Sequence, residues 1–99
     1  MISNKLLFTL NAQKDLQFLK ESSSHQRILK DVHKTLALME SNLRHPSLNT
    51  HEFKSLKGAQ GEKMFEAYAQ QKTSGAYRIL WHYGPGKNII SIIAIIPHP

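Results

Sequence analysis

The stretch GAYRILWHY, residues 75–83, decides how the rest of this 99-residue chain is read. Its aromatic and β-branched residues alternate as a strand requires, with Tyr77, Ile79, Trp81 and Tyr83 on one side and Arg78, Leu80 and His82 on the other. The first side can enter a core. The second carries a guanidinium and an imidazole, the pair of groups that can hold a phosphate and move a proton beside it.

Apolar and turn-rich segments flank this strand. Downstream, Gly84, Pro85 and Gly86 form a short connection into residues 88–96, an Ile-rich run of strand length that is apolar on both faces and so belongs in a sheet interior. Upstream, residues 63–70 alternate Phe65, Ala67 and Ala69 against Glu66, Tyr68 and Gln70, a half-buried strand joined by the turn QKTSG. Residues 44–61 are polar, basic and turn-rich and read as a loop after Pro46, with Phe53 and Leu56 as its anchors to the core.

The N-terminal half is helical. Ile28, Leu29, Val32, Leu36, Met39 and Leu43 recur at three and four residues, which predicts a long helix over about 24–42. A shorter helix carrying Leu16, Phe18 and Leu19 precedes it, capped by Asn11, and the triplet Ser22, Ser23, Ser24 separates the two. Residues 6–10 form a first strand. The order strand, helix, helix, strand, strand, strand predicts one α+β domain over 1–99, two helices on one face of a small, mainly antiparallel sheet.

Composition narrows the function classes. Thirteen Lys and Arg against seven Asp and Glu give a formal net charge of +6, which favours a polyanion as partner. No cysteine is present, which removes disulfide and thiolate chemistry and is consistent with a cytoplasmic location. The early apolar run is too short for a secretory leader, and no segment reaches membrane-spanning length, so no membrane partner is expected. The histidines show no paired ligand spacing, so neither a metal site nor a cofactor is expected.

With these elements in order, the sequence resembles the RelE/ParE toxin superfamily of bacterial type II toxin–antitoxin systems. The resemblance rests on the element order, on His45-Pro46 after the second helix, on Leu56-Lys57-Gly58, and on Gly75-Ala76-Tyr77-Arg78-Ile79 as the Gly-x-Tyr-Arg-apolar strand. It implies the β-α-α-β-β-β fold and an endoribonuclease that cleaves messenger RNA, in a ribosome-dependent manner, and so inhibits translation. It implies a cognate antitoxin as partner, with assembly as a homodimer or as a toxin–antitoxin hetero-oligomer. Two other activities on the same fold stay open: a ParE-like inhibitor of DNA gyrase, and a basic binding module without catalysis.

By position, Arg78 resembles the family's phosphate-holding arginine and His98 the C-terminal histidine that YoeB-like members use as general acid. The residues before the arginine depart from RelE, where lysines stand; here Glu66, Tyr68 and Gln70 fill that face. Cleavage of RNA through its 2′-hydroxyl needs a base, a cation for the phosphorane and an acid for the leaving 5′-oxygen. Glu66 is the candidate base, Arg78 the clamp, and His98 or His82 the acid. Lys54, Lys57, Lys63 and Lys72 are candidate contacts for the RNA backbone and Tyr68 for base stacking.

Overall fold

The computed structural model describes residues 3–98. A short strand β1 (Lys5–Phe8) leads into helix α1 (Leu10–Glu21), a 3-10 turn at Ser23–His25, and helix α2 (Gln26–Ser41). A second 3-10 turn at Pro46–Leu48 precedes four strands: β2 (His51–Lys57), β3 (Lys63–Tyr68), β4 (Tyr77–Tyr83) and β5 (Ile89–Pro97). The sheet order is β1-β5-β4-β3-β2, with β1 parallel to β5 and every other pair antiparallel. The expected α+β architecture therefore holds, with one strand more than the sequence reading supplied.

That strand is β2, in the segment read as a loop. It forms an outer edge of the sheet, pairs only with β3, and is largely exposed, so its residues carry no apolar alternation to betray it. Phe53 does pack inward, against Met64, Leu80 and Ala94. Leu56, the other expected anchor, is instead exposed.

The helices cover one face through the stripe the sequence shows. Val32, Leu36 and Met39 of α2 and Ala12 and Leu19 of α1 meet Tyr77, Ile79 and Trp81 of β4 and Ile90, Ile92 and Ile95 of β5. Helix α1 begins one residue after Thr9, not at Asn11. The Thr9 side chain accepts a hydrogen bond from the Ala12 amide at 3.1 Å, and its hydroxyl also donates to the Ile93 carbonyl at 3.2 Å. Beyond the end of β1, then, α1 satisfies the open edge of β5: the Ile95 amide donates to the Asp15 carboxylate at 2.9 Å.

Strand β5 keeps apolar residues on both faces by means of a bulge. Leu80 pairs with Ala94 and Trp81 with Ile92, so Ile93 is the extra residue and the alternation changes phase there. Ile92 and Ile95 consequently share the helix-covered face although they stand three positions apart. On the other face Met64, Leu80 and Ala94 make a second apolar patch, joined by Phe53, Ile93 and Ile96. The face of Arg78 is thus not an open solvent face, and β4 is buried from Tyr77 through His82. Tyr83, expected in the core, is largely exposed at the strand end, with one side of its ring against Phe65 and Trp81.

Candidate active site around Glu66

Register alone assembles most of the site. Glu66 on β3 lies opposite Leu80 of β4 and, on its other side, opposite His51 of β2. Two residues on, Tyr68 lies opposite Arg78, and Arg78 in turn opposite Ile96 of β5. Alternation puts Glu66, Tyr68 and Arg78 on one face, as the sequence predicts. The chain after β5 then returns to that face, where the His98 amide donates to the Ala76 carbonyl at 2.8 Å.

Glu66 is the hub. It is only 3% exposed, and three basic side chains surround its carboxylate. His51 Nε2 lies 2.9 Å from Oε1, Arg78 Nε lies 4.0 Å from the same oxygen, and His98 Nδ1 lies 3.8 Å from Oε2. A carboxylate so deeply buried is stable because these cations and donors replace the water it has lost.

Arg78 is fixed from several sides. Its Nη1 donates to the Gln70 carbonyl at 2.6 Å, and the guanidinium carbon sits 3.7 Å from the centre of the Tyr68 ring. Its Nε is buried with no hydrogen-bond partner among the described residues, 4.0 Å from the Glu66 carboxylate. The Gln70 side chain ties this arrangement to α2, donating to Asp31 at 3.1 Å and accepting from the Tyr77 amide at 3.2 Å.

Other residues proposed from sequence fall elsewhere. His82 is buried four positions along β4 from Arg78, with Nδ1 against the Tyr83 carbonyl at 2.8 Å, and is not among the described residues that pair with Glu66. The lysines divide into two groups at opposite ends of β3. Lys57 and Lys63 are register partners at one end, near Lys54, and Lys57 is 3.8 Å from the Glu52 carboxylate. By alternation with Met64, Lys63 leaves the sheet on the helix-covered side. Lys72 lies at the other end, on the rim of a cleft of about 440 Å³ that also takes in Arg27, Asp31, Lys34 and Tyr68.

The sequence reading passed over His51. A histidine in a presumed loop has no assigned direction, and its link to Glu66 follows only from the pairing of β2 with β3. One signal was present: His51 and Phe53 are spaced as same-face strand residues, one polar and one aromatic. Among the described residues no group of three or more His, Asp or Glu side chains is arranged to hold a metal ion.

No family model matches the chain, and no curated protein matches it. Solved structures do. A YoeB/ParE toxin from Agrobacterium tumefaciens superposes with a TM-score of 0.68 at 14% identity, covering 96% of this chain and 99% of that one. The YoeB dimer from Staphylococcus aureus gives 0.62 at 14% identity, over 98% of this chain and 99% of that one. The RelBE2 toxin–antitoxin complex from Mycobacterium tuberculosis gives 0.59 at 21% identity, over 98% and 100%. Along nearly the whole chain, then, the fold is that of these solved toxin structures.

Proposed function

We propose that this protein is the toxin of a toxin–antitoxin pair and that it arrests growth by cutting messenger RNA presented on the ribosome. The observation that carries this reading is the convergence of Arg78, Glu66 and His98, from β4, β3 and the segment after β5, on one face of a fold built like those toxins. In such a reaction the 2′-oxygen attacks the neighbouring phosphorus, the 5′-oxygen leaves, and the products carry a 2′,3′-cyclic phosphate and a 5′-hydroxyl. Arg78 meets the charge that builds on the phosphorane, and proton transfer falls to the ionisable groups around Glu66. Tyr68, stacked on Arg78, offers a ring for a neighbouring base.

The +6 charge suits both RNA and an acidic antitoxin, and the neighbouring complexes and dimer are the basis for proposing a hetero-oligomer or a homodimer. The cytoplasm is where such partners are met. No helix among the described residues is long and apolar enough to cross a membrane.

The test is induced expression of the chain alone in bacteria, with messenger RNA 5′ ends mapped within minutes. Codon-phased new ends are expected, lost with Arg78→Ala; removal of a transition-state cation of this kind costs roughly 10²–10³-fold in rate. Thermal melts of the purified variant check that its fold survives. Arrest without new ends, with DNA breaks instead, would move the assignment to gyrase, and absence of arrest would leave a binding module.

A further inference from the structure

Strand β2 is shorter than the sheet needs on one side. It enters at His51, opposite Glu66, and before that point the chain turns away at Asn49, φ 46°, into the 3-10 turn at Pro46–Leu48. From Tyr68 onward the end of β3 and the turn after it therefore have no strand beside them. Helix α2 stands there instead, across a cleft of about 440 Å³, a volume in the range of small-molecule sites.

The helix wall of the cleft follows from spacing. Val32, Leu36 and Met39 enter the core, whereas Arg27, Asp31, Lys34 and Leu38, at steps of four, three and four, form the neighbouring stripe and line the cleft. Lys72 comes from the opposite wall. Asp31 is engaged on both oxygens, with Arg27 Nε 3.6 Å from Oδ1 and the Gln70 amide donating to Oδ2 at 3.1 Å. Lys34 and Lys72 are exposed and take part in no ion pair among the described residues. Two unpaired ammonium groups thus border one cleft, and a phosphate between them satisfies both.

The rest of the lining asks for more than a phosphate. Leu38 and Ala69 are half-buried apolar surface, and Asp31 retains lone pairs for the N–H groups of a heterocycle. The floor is fixed in advance: the Gln71 amide donates to the Ser47 carbonyl at 2.9 Å and its oxygen accepts from Asn49 at 3.0 Å. The cleft also shares a wall with the Glu66 cluster. Tyr68 lines the cleft and stacks on Arg78, while Gln70 accepts from Arg78 through its carbonyl and donates to Asp31 through its side chain.

We propose that this cleft is a second nucleotide site, in which Lys34 and Lys72 hold a phosphate and Asp31 receives a base N–H. In the ribonuclease reading, on which the choice of strand rests, the occupant is a nucleotide of the RNA beside the cut. A free nucleotide offers the same groups.

The test measures binding without cleavage. A fluorescein-labelled RNA hexamer, 2′-O-methylated throughout so that no nucleophile remains, is titrated with the full chain by anisotropy between about 50 and 200 mM salt. Lys34→Gln combined with Lys72→Gln should lower the slope of log affinity against log salt by roughly 0.7 for each lysine lost. Lys34→Arg with Lys72→Arg should restore it, and Lys14→Gln with Lys20→Gln, the same charge change on exposed positions of α1 outside the cleft, should leave it unchanged. Calorimetry with adenosine 5′-monophosphate should show one site in the wild type that the glutamine pair loses and that inorganic phosphate does not fill at the same concentration. Lysine-dependent binding of both probes assigns the cleft to the RNA strand; such binding of the mononucleotide alone assigns it to a free nucleotide. Equal losses in the two glutamine pairs, equal binding of inorganic phosphate, or no binding of either probe overturns the site. Codon-phased ends in cells without cleft binding would keep the ribonuclease reading and remove this one, and cleft binding without such ends would do the reverse.

Discussion

The guanidinium of Arg78 is held at one nitrogen by a carbonyl, lies against an aromatic ring, and has one buried N–H unmatched. A lysine keeps the charge but not the plane, and so loses both the stacking on Tyr68 and the fixed direction of the guanidinium N–H groups. The same strand holds a second titratable residue with a different dependence. Burial, and then the Asp15 charge, push the Tyr77 phenol above its ordinary 10.0. A group whose pKa is raised on folding stabilises the native state fully below its unfolded value and ceases to do so as pH climbs through the folded one. Tyr77→Phe removes that contribution, so the urea midpoint of the variant should fall less than that of the wild type between about pH 9 and 11. Equal losses in the two proteins would show that the Tyr77 phenol does not titrate in this way.

At the scale of elements, the contact between α1 and the unpaired edge of β5 is the one most exposed to a single change. Asp15→Ala strips the acceptor from the Ile95 amide, whose residue is 2% exposed, and a buried donor left without a partner costs about 1–3 kcal/mol. Urea unfolding of the variant should show a loss in that range at unchanged m value; no measurable loss would mean that the bulge relaxes to find another partner. The elements also show what a linear chain discloses. Strands β4 and β5 and helix α2 were legible because burial writes a period of two, a solid apolar run or a period near 3.6 into them. Strand β2 was not, since an edge strand with one apolar anchor, Phe53, looks like a loop. The site divided along the same line. Glu66, Tyr68 and Arg78 share a face by alternation within adjacent strands, whereas His51 enters through a strand pairing the sequence does not mark and His82 is set apart by its distance along β4.

For the molecule as a whole, the excess of positive charge governs how it meets its partners. Binding of a short single-stranded RNA should weaken linearly in log affinity against log salt, with a slope of roughly −0.7 for each phosphate neutralised. A titration between about 50 and 200 mM salt measures this, and a flat line would remove the lysines from the interface. Combining Lys54→Ala with Lys57→Ala should lower the slope if that end of β3 carries backbone contacts; Lys72→Ala asks the same of the opposite end.

The sheet has a further consequence for how the protein is made. Strand β1, near the start of the described chain, takes its place beside β5, near its end, and the middle of the sheet is occupied by β4 and β5. During synthesis α1 and α2 therefore leave the ribosome with their apolar stripes bare and wait for strands that have not yet been translated. Contacts so distant along the chain close late. Arg78 has no neighbour in β5, and Glu66 no His98, until that closing strand is out. An incomplete chain therefore lacks the assembled Glu66 cluster, and the two helices present their apolar stripes before the site exists.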